Sequence, residues 1–197
     1  MQTDEQTIAL IFGPPGVGKG TQSESIAKHF GLLHISTGNV LREAAIHDAA
    51  LKEIMDSGQL VGDDVLMRVV EEFIVQHPEA KGFLFDGFPR TQAQVEAFDA
   101  MLALNNTDID VVISLYAEQT ELVKRIQGRG ETSNRPEDKD PAIIATRLQV
   151  YAEQTEPILG YYRTTDKLIV EVDSMGTIPE VFDAIIHKLE EVNVMVV

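Results

Sequence analysis

The residues most able to do chemistry begin with a glycine-rich segment, GPPGVGKGT, at residues 13–21. Glycines at this spacing let several backbone N–H groups converge on one anion, and a helix starting there adds the positive end of its dipole. The Lys19 ammonium adds a point charge that can reach phosphate oxygens. The segment therefore predicts a loop that binds the phosphates of a nucleoside triphosphate. The common pattern has Ser or Thr directly after the lysine, whereas here Gly20 precedes Thr21.

Arginines are the second group suited to phosphate chemistry, because a guanidinium binds a phosphate through two parallel hydrogen bonds. Six of them lie close to the predicted phosphate site or on the helices and polar segments that follow it: Arg42, Arg90, Arg125, Arg129, Arg135 and Arg147. Arg125 and Arg129 are four residues apart and share one helix face. Surface salt bridges are the alternative for any single arginine, but such pairs add little stability. Together the set predicts a cleft in which arginines surround the oxygens of a transferred phosphoryl group.

Asp86 ends an apolar run and is followed by Gly87. A carboxylate at this place can hold Mg²⁺ through a water molecule beside the phosphates, or it can cap the following turn. None of the five histidines lies in these motifs, so we predict structural or surface roles for them. A catalytic base is unnecessary if the acceptor is a phosphate monoester, since its oxygen is already anionic near neutral pH.

Short apolar runs alternate with segments of helical periodicity along the chain. Strands are predicted at residues 7–12, 32–35, 83–85, 111–115 and 168–172, and helices at residues 20–30, 65–75, 92–104, 118–127, 142–159 and 178–189. This alternation predicts an α/β protein with a five-stranded parallel sheet and helices on both faces. Together with the glycine-rich loop after the first strand, it indicates the phosphate-loop nucleoside-triphosphate-binding fold.

Two polar segments interrupt the alternation. Residues 36–63 are helical without a strand, and residues 128–140 lack periodicity. We expect both to form lobes over the carboxyl edge of the sheet, where open α/β folds bind ligands. Gly128 and Gly130 are candidate hinges for the second lobe. The rest of the single unit, residues 1–35, 64–127 and 141–197, is the predicted core.

Composition excludes several functions. The net charge of −16 and the pI near 4.6 argue against a nucleic-acid or anionic-membrane partner. With no cysteine, the chain has no disulfide, no thiolate zinc site and no catalytic thiol. The sequence contains no apolar run of membrane-spanning length and no secretory pattern at its start, so we expect a cytoplasmic location.

Five motifs together resemble one known family. They are GPPGVGKGTQ at residues 13–22, ISTGNVLR at 35–42, FDGFPRTQAQ at 85–94, RIQGR at 125–129, and the pair Arg135 and Arg147. Over residues 8–189 the chain resembles the adenylate kinases of the nucleoside monophosphate kinase family, in their short-lid form. The resemblance implies the reaction MgATP + AMP ⇌ 2 ADP, with Mg²⁺, without zinc, in a monomer whose AMP-binding lobe is residues 36–63 and whose lid is residues 128–140.

The resemblance also implies roles for single residues. The implied ATP-binding residues are Gly16, Val17, Gly18, Lys19, Gly20, Thr21, Arg125, Arg129 and Gly176. The implied AMP-binding residues are Thr37, Arg42, Gln59, Leu60, Val61, Gly87, Phe88, Pro89, Arg90, Gln94, Arg135 and Arg147. The implied catalytic residues are Lys19, Arg90, Arg129, Arg135 and Arg147, with Asp86 holding Mg²⁺ through water.

Gln94 has two interpretations. Thr91 and Gln94 fit a helix capping box, in which each side chain accepts a hydrogen bond from the backbone of the other residue. The resemblance instead implies that Gln94 recognises the adenine of AMP, which a glutamine amide can bind through two hydrogen bonds. We favour adenine recognition.

Other functions remain open at this point. Relatives that use UMP or CMP usually carry Ala near Thr37 and Asn near Thr91 and Gln94, so the residues here favour AMP. A nucleotide-binding regulator without turnover is a further alternative, for which Asn39, at a position where the family usually has Asp, is the one hint. A hydrolytic switch protein would need a water-positioning residue and switch loops, which we do not find.

Overall fold

A computed structural model describes residues 6–133 and 135–194 of the protein. Its centre is a parallel sheet with the strand order β2-β3-β1-β4-β5. The strands are β1 (Thr7–Phe12), β2 (Leu33–Ser36), β3 (Gly82–Asp86), β4 (Val111–Tyr116) and β5 (Ile169–Asp173). The predicted five-stranded parallel sheet is therefore confirmed, and each predicted strand agrees with the structure to within one residue at each end.

The helices of the described residues surround this sheet. They are α1 (Lys19–Phe30), α2 (Thr37–Ala44), α3 (Ala49–Asp56), α4 (Asp63–Gln76), α5 (Gln92–Leu104), α6 (Gln119–Thr132), α7 (Pro141–Val150), α8 (Glu156–Thr164) and α9 (Ile178–Glu191). A short 3-10 turn (Pro136–Asp138) lies between α6 and α7, and a π-helical turn (Tyr151–Thr155) joins α7 to α8. No helix among the described residues is both long and apolar enough to cross a membrane.

Alternate residues of the central strand face opposite sides of the sheet, and each side has its own hydrophobic core. Leu10 and Phe12 belong to the core under α4, α5 and α8, which also buries Phe98. Ile11 belongs to the core under α1 and α9, together with Ile26. The strand is therefore apolar at almost every position, as expected for a parallel sheet covered on both faces.

The segment predicted as an irregular lid, residues 128–140, begins instead as helix. Helix α6 continues to Thr132, so Gly128 and Gly130 lie inside a helix and not in a flexible connection. The glycine at position 130 permits a close approach: a Cβ atom there would lie 2.7 Å from the Asp138 carbonyl oxygen. The 3-10 turn therefore packs directly on the end of α6, a contact between two segments that helical periodicity does not reveal.

The helix predicted at residues 142–159 is also different in the structure. Its helical conformation extends to Thr164, and the π-helical turn divides it into α7 and α8. π-helical turns are rare, so the helical periodicity of this segment predicts one continuous α-helix.

The carboxyl ends of the strands meet at one edge of the sheet. Asp86 is in register with Ile11 of β1 and with Ser36 of β2. The glycine-rich loop after β1, the turn after β3 and helix α2 after β2 therefore emerge side by side, which brings distant motifs together in one cleft.

Candidate active site

The glycine-rich loop joins β1 to the start of α1. Gly16 has φ +86°, and a Cβ atom there would lie 2.7 Å from the Leu122 carbonyl oxygen, so this position excludes a side chain. The first amides of α1 have no carbonyl partner within the helix. Lys19, Gly20 and Thr21 line the cleft, so these amides and the helix dipole can act on an anion bound there.

The Lys19 ammonium is folded back onto the loop. It donates hydrogen bonds to the carbonyl oxygens of Gly13 at 2.5 Å and Pro14 at 3.2 Å. The pKa of Lys19 is lowered to about 8, mainly by burial; Asp86 opposes this shift, and the nearby Arg90 and Arg147 contribute to it. Desolvation therefore disfavours the charged form of the Lys19 amine, and an anionic ligand beside it would stabilise that form.

Asp86 lies at the carboxyl end of β3 and is 8% exposed. Burial alone would raise the pKa of its carboxyl group, but the neighbouring His34 imidazole and the Lys19 ammonium outweigh burial and hold that pKa below its usual range. A Cβ atom at Gly20 would be 3.6 Å from Asp86 Oδ2, so the carboxylate borders the phosphate loop. An ionised carboxylate in this place fits the predicted Mg²⁺ held through water.

The turn after β3 fixes the Arg90 guanidinium. The Gly87 carbonyl accepts hydrogen bonds from Arg90 Nε at 2.6 Å and from the Thr37 hydroxyl at 2.9 Å. The Thr155 hydroxyl donates to the Arg90 carbonyl at 3.0 Å. Burial lowers the pKa of Arg90, an effect that Asp86 opposes. The side chain is held in place before any ligand binds.

A buried carboxylate joins two further arginines. The Asp138 side chain is fully buried and accepts two hydrogen bonds from Arg129, at 2.6 Å from Nε and 2.9 Å from Nη2. Arg147 donates to the same carboxylate. Burial raises the pKa of Asp138, but Arg129 and Arg147 together lower it overall. The lid segment therefore carries the carboxylate that orients both arginines.

The lid segment also reaches helix α2. Glu137 Oε1 lies 3.5 Å from Arg42 Nη1, and Arg42 Nη2 donates to Asn39 Oδ1 at 2.6 Å. The pKa of Arg42 is lowered to about 10, mainly by burial; the charge of Arg135 contributes to the shift and Glu137 opposes it. The 3-10 turn packs against α3 as well, so the segment covers one side of the cleft.

The cleft has a volume of about 350 Å³. Most residues proposed for ligand binding line it: Gly16, Gly18, Lys19, Gly20, Thr21, Thr37, Arg42, Gln59, Leu60, Val61, Asp86, Gly87, Phe88, Pro89, Arg90, Arg129, Arg135 and Arg147. Four others lie outside its lining: Val17, Gln94, Arg125 and Gly176. Their roles toward nucleotides, like those of the lining residues, stay predictions.

Gln94 is fully buried behind the cleft. Its Oε1 accepts from the Arg90 backbone N–H at 2.7 Å, and its Nε2 donates to Asp63 Oδ1 at 2.7 Å. The Thr91 hydroxyl accepts from the Gln94 N–H at 3.2 Å, which is one half of the predicted capping box. The second hydrogen bond of the box is different, because the Gln94 side chain accepts from the backbone N–H of Arg90 and not from that of Thr91.

Arg125 lies on α6 and outside the cleft lining. Its Nε donates to Glu121 at 2.9 Å, and its Nη1 donates to the Ser174 carbonyl at 2.9 Å. Gly176 is in the exposed loop that follows Ser174. Arg125 and Gly176 thus lie at the loop between β5 and α9, outside the residues that line the cleft.

Sequence reasoning missed three carboxylates of the site: Asp63, Glu137 and Asp138. An acidic residue between two phosphate-binding arginines, as at Glu137 and Asp138, is a signal that could have indicated an internal counter-ion. Asp63 begins α4, where an acidic residue stabilises the helix dipole, so its position predicts an ordinary helix start. Nothing in the sequence indicates its bond to Gln94.

Comparison with known proteins gives one consistent result. The parallel sheet and the glycine loop define a phosphate-loop nucleotide-binding protein. The family model described as adenylate kinase matches residues 11–167. A protein named adenylate kinase from Caulobacter vibrioides is 41% identical over 187 residues, which is 93% of this chain and 97% of the relative.

Other relatives agree with that match. A protein named adenylate kinase from Parabacteroides distasonis is 42% identical over 187 residues, with 93% of this chain and 97% of the relative covered. One of the same name from Flavobacterium johnsoniae is 38% identical over 185 residues, with 92% and 97% covered. The chain belongs to the adenylate kinase family, as the sequence motifs predict.

Proposed function

We propose that this protein transfers the terminal phosphoryl group of MgATP to AMP, giving two ADP. The observation that carries the proposal is the convergence of Lys19, Arg90, Arg129 and Arg147 on one cleft of a chain whose net charge is −16. Such a concentration of cations in an acidic protein supports a site for several phosphate groups.

The donor and the acceptor enter the cleft from opposite sides in this proposal. ATP places its phosphates on the loop of Gly16–Thr21 and its base near Arg125 and Gly176. AMP lies between the lobe of residues 36–63 and the turn after β3, with its phosphate near Arg42 and Arg90. The position of the loop and the turn on neighbouring strands supports this arrangement.

Catalysis in this proposal depends on positioning and charge. Lys19, Arg90, Arg129, Arg135 and Arg147 bind the oxygens of the phosphoryl group and stabilise the charge that develops on them. The acceptor phosphate is already anionic, so no side chain needs to remove a proton. Mg²⁺, when bound through water at Asp86, neutralises charge on the donor phosphates. The lid segment excludes water, which limits hydrolysis of ATP.

The site residues, the Mg²⁺ requirement, the monomeric state and a cytoplasmic location are all part of the proposal. Sedimentation equilibrium with and without nucleotides tests the monomeric state. A protein that stays at 21.8 kDa supports it. A dimer would contradict it.

The test of function is ADP formation by the purified protein with MgATP and one acceptor at a time, AMP, UMP, CMP or GMP. We expect rapid ADP production with AMP and none after addition of EDTA. Transfer to UMP or CMP instead would keep the reaction class and overturn the assignment of Thr37 and Gln94 to AMP. ATP binding without transfer to any acceptor would contradict the proposed activity and favour a regulator.

A further inference from the structure

Ser174 connects two segments that are far apart in the sequence. It directly follows β5 and is 2% exposed. Its hydroxyl donates a hydrogen bond of 2.5 Å to the carbonyl of Val17, within the phosphate loop. Its own carbonyl accepts the Arg125 guanidinium at 2.9 Å. One small residue therefore contacts both the phosphate loop and an arginine proposed to contact the donor nucleotide.

A second contact ties the same loop to α1. Gln22, one turn into the helix, donates from Nε2 to the Ile178 carbonyl at 3.0 Å. Gln22 is 3% exposed, so this bond is sheltered from water. The loop of residues 174–178 is thus anchored at both ends to the phosphate-loop region, while Gly176 between the anchors is exposed.

The geometry of the peptide bond gives the Ser174 contact a consequence for phosphate binding. The C=O and N–H of a trans peptide are coplanar and point in opposite directions. When the Val17 carbonyl is held by Ser174, the N–H of Gly18 must point away from Ser174. Val17 is buried, whereas Gly18 lines the cleft, so the fixed peptide presents an amide donor on the cleft side.

We propose that Ser174 is a positioning residue that couples the two ends of the donor nucleotide. Its hydroxyl fixes the Val17–Gly18 peptide for the phosphates, and its carbonyl fixes Arg125 beside the loop that holds Gly176 and receives the base. Without the hydroxyl, the buried Val17 carbonyl lacks this donor and the loop of residues 174–178 loses one anchor. The coupling rests on the proposed function, because it assigns the donor to this side of the protein.

The test compares Ser174→Ala with the wild-type protein in two assays. In steady-state kinetics we expect the KM for MgATP to rise about tenfold, the size expected for loss of a buried hydrogen bond. The KM for AMP and kcat should stay within about twofold, because the acceptor side does not contact Ser174. Ser25→Ala is the matched control, since that hydroxyl donates at 3.4 Å to Thr21 in its own helix.

Binding measurements separate coupling from general damage to the structure. Calorimetry with ATP and with inorganic tripolyphosphate, a donor without a base, measures how much the base adds to affinity. We expect Ser174→Ala to weaken ATP binding more than tripolyphosphate binding, so that their affinity ratio falls about threefold or more. An unchanged ratio, or an equal rise of both KM values, would overturn the proposal.

A second variant guards against misfolding. Ser174→Cys keeps the side-chain size and has a weak S–H donor, so it should fold and give an effect between those of wild type and Ser174→Ala. A KM for MgATP within twofold of wild type in both folded variants would overturn the proposal. The binding assays do not require turnover, so a wild-type protein that binds ATP without forming ADP would contradict the proposed activity and still leave Ser174 testable.

Discussion

The Gln94 side-chain amide donates a hydrogen bond of 2.7 Å to the Asp63 carboxylate, which ties α5 to the first residue of α4. The same oxygen of Asp63 accepts the Thr91 hydroxyl at 2.9 Å. Because Gln94 Oε1 is already held by the Arg90 N–H, Asp63 and Arg90 together determine which way the amide faces.

Removing the Asp63 carboxylate should therefore weaken AMP binding. We expect Asp63→Ala to raise the KM for AMP about five- to tenfold, because the amide can then rotate and Thr91 loses a partner. Asp63→Asn should stay near wild type, since its amide oxygen can still accept hydrogen bonds. Steady-state kinetics with both substrates measure this. Asp64→Ala, which removes the exposed neighbouring carboxylate, is the control. The same KM for AMP in Asp63→Ala and wild type would contradict the role.

Asp138 should make stability depend on acid pH. Its pKa is lowered in the folded protein, so it contributes stability at pH values above its unfolded pKa of about 4. That contribution is lost as the pH falls through the lower, folded pKa. Asp138→Asn should cost about 1–3 kcal/mol at pH 7, less than a fully buried ion pair because Arg129 is 34% exposed.

Urea unfolding of Asp138→Asn and wild type at pH 7 and at pH 3 measures this effect. The difference in unfolding free energy should shrink at the lower pH. Glu131→Gln, which neutralises an exposed carboxylate near the end of α6, is the control and should show no such dependence. A difference that is the same at both pH values would contradict the assignment of the effect to the Asp138 charge.

Deprotonation of Lys19 should lower kcat/KM for MgATP at alkaline pH. Its pKa is lowered to about 8, so the free protein loses the ammonium form as the pH rises above that value. We expect kcat/KM for MgATP to fall above pH 8. We expect kcat to stay level to higher pH, because bound phosphates stabilise the charged amine. A pH profile of both parameters to pH 10 measures this, and a level kcat/KM over that range would contradict it.

Replacement of the same residue tests its charge directly. Lys19→Met should lower kcat at least about 100-fold, the scale for loss of one preorganised charge in a transition state. Circular dichroism should show an intact fold, because the hydrogen bonds of the ammonium go to carbonyls of the loop itself. Activity within tenfold of wild type would exclude Lys19 from the reaction.

The two glycines of α6 form a matched pair. A Cβ atom at Gly128 would meet no atom within 4 Å, whereas one at Gly130 would lie 2.7 Å from the Asp138 carbonyl oxygen. Gly128→Ala should therefore stabilise the protein by up to about 1 kcal/mol, the difference in helix propensity. Gly130→Ala should destabilise it and lower activity by displacing the lid segment. Thermal unfolding and kcat measure both, and equal effects of the two changes would contradict this account.

The sequence predicts the sheet and the phosphate loop well because both depend on local patterns. A buried parallel strand is a short apolar run, as in β4, and a phosphate loop is a set of glycines before a helix. The lysine and the arginines of the cleft could be proposed as phosphate-binding residues from the sequence, because few other functions concentrate these residues in an acidic chain.

Contacts that depend on distant partners could not be predicted in the same way. Gln94 fits a capping box by its local spacing, but its amide binds Asp63, 31 residues away. Asp138 falls in a polar run with no periodicity, and nothing local indicates that it is buried between two arginines. Ser174 and Val17 are 157 residues apart, so their hydrogen bond becomes visible only when β5 and the phosphate loop are placed side by side.

The π-helical turn of residues 151–155 changes the rotational phase of the helix that it interrupts. Before it, Arg147 lines the cleft; after it, Ile158 and Tyr162 are buried in the core under the sheet. Each residue of an α-helix advances the side-chain direction by about 100°. Deleting one residue from the turn would rotate α8 by about that angle relative to α7. Arg147 could then no longer line the cleft while Ile158 and Tyr162 pack in the core.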